Sequence, residues 1–129
     1  MTNQDNYLPQ ISQGELEVMK VLWQLGEASS GIIVQTLLPK SSWKSKTIQT
    51  MLNRLVQKGA VSAEKGEGRN YCYRPLIGED EYKLAASTHF VDKVYDGSLY
   101  HLVAGFVKTK KLSAEEIKSL RTILEEEEL

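Results

Sequence analysis

Apolar residues recur at helical spacing through most of the chain. In "ISQGELEVMKVLWQLGE", Leu16, Met19, Leu22 and Trp23 share one stripe at 100° per residue, which predicts a first helix. Ser12-x-x-Glu15 ahead of it has the form of a capping box, and Gly26 is placed to end the helix. Ser29 or Ser30 can cap a short second helix with Ile33, Val34, Leu37 and Leu38 facing inward, stopped by Pro39. "SSWKSKTIQTMLNRLVQKG" predicts a third helix, whose apolar stripe is Ile48, Met51, Leu52, Leu55 and Val56. Ser42 or Ser45 can cap its start, and Lys58-Gly59 supplies a cation and then a residue free to turn left-handed. Trp43, just before this helix, reads as a staple holding the helix start to the body, with packing on a sugar-phosphate backbone as the alternative.

The period then changes. In "AVSAEKGEGRNYCYRP", Val61 and Ala63 alternate with polar residues, Gly66 and Gly68 make a loop, and Tyr71 and Tyr73 alternate again, which predicts a β-hairpin. From Glu79 onward the pattern is helical again, with breaks at Asp96-Gly97 and between Lys110 and Ser113. The last helix opens with a second capping box, Ser113-x-x-Glu116. These short amphipathic helices are too small to cover their own apolar faces, so a second copy of the chain is the simplest cover. The expected fold is mainly α: a winged helix-turn-helix of three helices and a hairpin wing, followed by a small all-helical domain. The divisions are a loose arm over residues 1–10, a winged-helix domain over 11–76 and a helical domain over 77–129.

Composition narrows the class. With 41% hydrophobic and 26% charged residues and no apolar run near bilayer length, the chain reads as neither disordered nor inserted in a membrane. The start resembles no secretory signal and Cys72 is the lone cysteine, so a cytoplasmic protein is expected. The net charge of −1 conceals a division: residues 1–75 carry nine Lys/Arg against six Asp/Glu, and 76–129 carry seven against eleven. Within residues 40–74 eight bases (Lys40, Lys44, Lys46, Arg54, Lys58, Lys65, Arg69, Arg74) face two acids, a footprint suited to a polyanion.

That footprint coincides with the polar side of the third helix, where Lys46, Gln49, Thr50, Asn53, Arg54 and Gln57 include no carboxylate. A solvated face ordinarily mixes both signs. In a winged helix this element enters the major groove, where Gln and Asn can meet adenine, Lys guanine, and threonine methyls thymine. Lys44, Lys65 and Arg69 are placed to hold phosphates. Catalysis has little support: His89 and His101 lack metal-ligand spacing, and "KGEGRN" lacks the length and following Lys-Ser/Thr of a phosphate loop. No enzyme activity, cofactor or metal is expected. A winged helix used for protein contact stays open, although it would more often expose apolar anchors.

Three stretches, "ISQGELEVMKVLW", "SSWKSKTIQTMLNRLVQKGAV" and "GRNYCYRPL", resemble the BlaI/MecI/CopY family of bacterial repressors. "FVDKVYDGSLYHLVAGFVKTKKLSAEEIKSLRTIL" continues the resemblance into that family's dimerisation region, in the manner of its BlaI-type branch. The resemblance spans about residues 11–124 and implies a homodimer that binds a palindromic double-stranded DNA operator and blocks transcription. It places Thr47, Thr50 and Arg54 on the DNA, beside Lys44, Lys46, Gln49, Asn53, Lys65 and Arg69 from chemistry. The dimer would be held by Phe90, Val94, Leu99, Leu102, Val103, Phe106, Ile117, Leu120, Ile123 and Leu124. The copper-responsive branch carries C-terminal Cys-x-Cys motifs, which "EEEEL" lacks. The β-lactam-responsive branch, which governs antibiotic resistance, is relieved when a membrane sensor-protease triggers cutting of its dimerisation helix. Here Gly105-Phe106 stands at that bond, where the best-known members have Asn-Phe. A metal or small-molecule effector acting without cleavage remains the alternative.

Overall fold

The computed structural model describes residues 9–66 and 70–127. Most of the expected arm therefore lies outside the described residues, as do Arg69 and the end of the acidic tail. The chain divides into two compact units after Ala85.

In the first unit, α1 (Gln13–Leu25) is followed by β1 (Ala28–Ser29), α2 (Ser30–Leu37), α3 (Ser45–Gln57), β2 (Val61–Lys65) and β3 (Tyr71–Pro75). The Ser12 box forms in both directions: Glu15 N–H donates to Ser12 Oγ at 3.1 Å, and Ser12 N–H to Glu15 Oε1 at 2.9 Å. Gly26 closes α1 at φ 85°, a conformation that suits glycine. Ser29 is the cap of α2.

Val18, Met19, Leu22, Ile33, Ile48, Leu52 and Leu55 are fully buried, so α1, α2 and α3 each turn one stripe into a common core. Each such side chain contributes roughly 1.5–3 kcal/mol by leaving water. Two expectations fail here. Leu38 is 40% exposed, because the chain tightens into a 3-10 turn (Leu38–Lys40) at Pro39 and swings the residue off the α2 stripe. The N-cap of α3 is Lys44 with no side-chain hydrogen bond, rather than Ser42 or Ser45.

The hairpin forms, with Ala63 opposite Tyr73 and Lys65 opposite Tyr71. It is one strand wider than its pattern suggests. β1 adds to the far side of β3, giving the order β1-β3-β2 with Ala28 opposite Tyr73, so Tyr73 stands on the central strand. Trp43 packs on the body: a methyl at Gly14 would come within 3.4 Å of Trp43 Cζ2 and 3.0 Å of Met51 Cε. The staple reading of Trp43 is the observed one.

The helix α4 (Glu79–Val94) runs across the division between the units, and α5 (Leu99–Lys108) and α6 (Ala114–Glu126) follow in the second. The breaks fall as expected, with Asp96 (φ 51°), Gly97 (φ 85°) and Lys110 (φ 60°) in the left-handed region. The Ser113–Glu116 box also forms both ways. Within one chain α6 leaves Leu120, Ile123 and Leu124 40%, 54% and 69% exposed, as helices too small to cover their own apolar faces should. In the second unit only Val91 is buried among the described residues. No helix among the described residues is long and apolar enough to cross a membrane.

Candidate nucleic-acid interface

The helix α3 sorts its residues sharply. Ile48, Leu52 and Leu55 point into the core, while Lys46, Thr47, Thr50, Asn53 and Arg54 are exposed and Gln49 is half-buried. Lys44 is exposed at the cap and Lys65 at the end of β2. Eight of the nine residues expected to meet DNA are thus on the described surface, and Arg69 lies outside the described residues. The Thr50 hydroxyl donates to the Lys46 carbonyl at 2.9 Å, which occupies its proton within the helix.

The basic footprint is narrower than the count of cations implies. Lys58 Nζ is committed to the buried Glu15 carboxylate and to the Gln10 carbonyl. Burial would push the Glu15 carboxyl up, but the hydrogen bond from Lys58, the Ser12 N–H and the Lys58 charge together outweigh it, and the pKa is lowered. Arg74 lies across the sheet, 3.0 Å from Glu27 and 3.7 Å from Glu64. Those two carboxylates, Glu27 foremost, hold the Arg74 guanidinium above its ordinary pKa. Lys40, Lys44, Lys46, Arg54 and Lys65 are exposed and form no ion pair among the described residues. Among the described residues of the footprint they are the cations left to meet a polyanion.

Between α3 and the hairpin runs an open groove of about 290 Å³ lined by Asn53, Val56, Ala63, Tyr71 and Tyr73. Two of its lining residues meet Gln49, whose Nε2 donates to Asn53 Oδ1 at 3.2 Å and to the Tyr73 hydroxyl at 3.3 Å. Tyr73 is part of the buried core cluster and 5% exposed. Its hydroxyl contact with the polar face was not foreseen. Alternation places Tyr71 and Tyr73 on one side of a strand, but nothing in the pattern tells which α3 residue a strand 24 positions away will reach.

The expected dimer residues form an apolar set on the second unit. Phe90, Val94, Leu99, Val103, Phe106, Leu120, Ile123 and Leu124 are 39–69% exposed, while Leu102 and Ile117 are half-buried. Apolar exposure on this scale marks an interaction surface more often than a free one. Gly105 lies in α5, and beyond its own turn of helix no described residue comes within 4 Å of the position a Cβ would take.

Residues 11–126 match the model of the Penicillinase repressor family. The Bacillus licheniformis penicillinase repressor is 44% identical over 119 residues, covering 92% of each chain. The methicillin resistance regulatory protein MecI of Staphylococcus aureus (strain N315) is 37% identical over 120 residues, covering 93% of this chain and 97% of that one. The solution structure of the monomeric form of Bacillus licheniformis BlaI with the blaP half-operator is 48% identical, with a TM-score of 0.52. It covers 58% of this chain and 90% of that one.

Proposed function

This chain belongs to the penicillinase repressor family, and we propose that it acts as a homodimer holding a palindromic operator. It is a DNA-binding transcriptional repressor of the antibiotic-resistance kind and not an enzyme. Its place of action is the cytoplasm, where the DNA is. What carries the reading on this chain's own surface is the exposed, carboxylate-free face of α3. Residues 11–76 read DNA and residues 77–129 hold the two copies together. In the major groove Lys46, Thr47, Gln49, Thr50, Asn53 and Arg54 meet base edges, while Lys44, Lys65 and Arg69 settle the domain on phosphates.

Replacing Arg54 by Ala is expected to weaken the specific site by roughly 1–3 kcal/mol and to relax base preference at one position in each half-site. Replacing Lys65 by Ala weakens all DNA alike and flattens the salt dependence by about one counterion. Titration of both variants against genomic fragments and random DNA separates the two roles. A wild-type chain that retains no genomic fragment over random DNA removes the repressor reading.

Release follows from the same architecture. A cut near Gly105-Phe106, triggered by a membrane sensor-protease, detaches Phe106, Val107 and all of α6 from the dimer surface while sparing the winged helix. Gly105 supports the choice, because its poor helix propensity eases local opening and, beyond its own turn of helix, no described residue comes within 4 Å of the place a Cβ would take. The mass of the repressor before and after exposure of cells to a cell-wall antibiotic tests this. A shortened chain is expected; an intact chain under full derepression assigns release to a small-molecule or metal effector instead.

A further inference from the structure

We propose that Tyr73 is a positioning residue for base recognition, fixing through its hydroxyl which hydrogen-bonding groups α3 offers to DNA. The inference rests on the reading that α3 meets base edges. Tyr73 is held on both sides, opposite Ala28 on one neighbouring strand and Ala63 on the other, so its backbone is fixed on the central strand, and the residue as a whole is 5% exposed. Gln49 Nε2 reaches that hydroxyl at 3.3 Å and Asn53 Oδ1 at 3.2 Å. A primary amide has two N–H donors, and both are then used. What Gln49 has left for the groove is its carbonyl oxygen, an acceptor. Asn53, whose oxygen is turned to Gln49 and accepts from it, presents its amide nitrogen, a donor.

One acceptor and one donor therefore stand four residues apart on the same face of α3, about one helical turn. The Gln49 oxygen suits an exocyclic amine, on adenine or cytosine. The Asn53 nitrogen suits a purine N7, a guanine O6 or a thymine O4. A two-point grip of Gln49 on adenine, which the free side chain could make, is closed off while both bonds hold, and loss of the bond to Tyr73 frees the N–H it needs. The wing thus contributes to specificity from behind the recognition helix without touching DNA at this residue.

Tyr73→Phe in the full chain keeps the ring and removes only the hydroxyl. A randomised half-site pool selected on the wild type, the Phe variant, Gln49→Ala and the double variant supplies the base preference of each. The Phe variant is expected to bind the wild-type site about fivefold more weakly, as for loss of one hydrogen bond, and random DNA unchanged. Its altered preference should fall at the position that Gln49→Ala also alters, and the hydroxyl should make no difference once Gln49 is Ala. Equal weakening on specific and random DNA, a preference matching the wild type, or additive effects would overturn the inference. Amide exchange in the wild-type chain gives a reading independent of any variant: the Gln49 side-chain protons should exchange more slowly than those of exposed Gln57, and equal rates count against it. A wild type without base preference removes the DNA reading itself, whereas a selective wild type with an unchanged Phe variant removes only the role of Tyr73.

Discussion

Ending the chain at Ala85 is expected to leave a folded DNA-binding unit whose affinity for a full palindromic operator is about two to four orders of magnitude lower. The loss is one of tethering. Two winged helices joined by a dimer surface present the second half-site with a protein already at high local concentration, and separate units must each find it from solution. On a single half-site the shortened and full chains should bind nearly alike, which makes the ratio of the two affinities the quantity to measure. Equal affinity of both proteins for the full operator would contradict a dimer held by α5 and α6. The place of the cut matters. Trp23 Nε1 donates to the Ile77 carbonyl at 2.8 Å, and its ring centroid lies 5.8 Å from that of Tyr82, so a chain ending at Pro75 strips α1 of partners that a chain ending at Ala85 retains.

Local signals in the sequence carried through to the structure, while signals between distant residues did not. Both capping boxes, the glycine stop at Gly26, the break at Asp96-Gly97 and the apolar stripe of α3 depend on residues within one or two turns, and each stands where its spacing places it. β1 is two residues long, too short to show any alternation, and exists because β3 has an open edge beside it. The stripe of α2 predicted an inward Leu38, and the turn imposed by Pro39 overrode it.

The candidate interface divides in the same way. Which α3 residues face outward was legible from period alone, since each inward position fixes its neighbours' directions. Which cations are free was not. Glu15 looked like a capping residue and Lys58 like a helix-end charge, yet they meet across 43 positions, and Arg74 is engaged by Glu27 across 47. Counting charge along the chain credited the footprint with both. Similarly, the apolar sets of α5 and α6 were legible, but a single chain leaves them exposed, and spacing along one chain does not say what would cover them.

The pairing of Glu15 with Lys58 leads to the second large effect. Lys58→Met is expected to destabilise the first unit by roughly 2–3 kcal/mol, at or below the low end for breaking a buried pair because the lysine side chain is itself 33% exposed. The thermal midpoint should fall by on the order of 10 °C. The direction of pH dependence distinguishes this from lost packing. In the wild type the Glu15 pKa lies below 4.5, so the unfolded chain binds more protons in the interval beneath 4.5. The stabilisation is complete above that value and disappears as pH falls through the folded pKa. In the Met variant the burial of Glu15 is no longer offset by the cation, and the folded pKa moves upward instead. The folded state then binds the extra proton, so the deficit relative to the wild type should shrink as pH is lowered from 7 toward 4. Adding Glu15→Gln to Lys58→Met should recover much of the loss at pH 7, because a neutral amide can still accept from the Ser12 N–H without burying a charge. Melts of the three proteins between pH 4 and 7 decide the matter: a deficit that does not change with pH and is not relieved by the amide would place the role of Lys58 in its methylene packing rather than its charge.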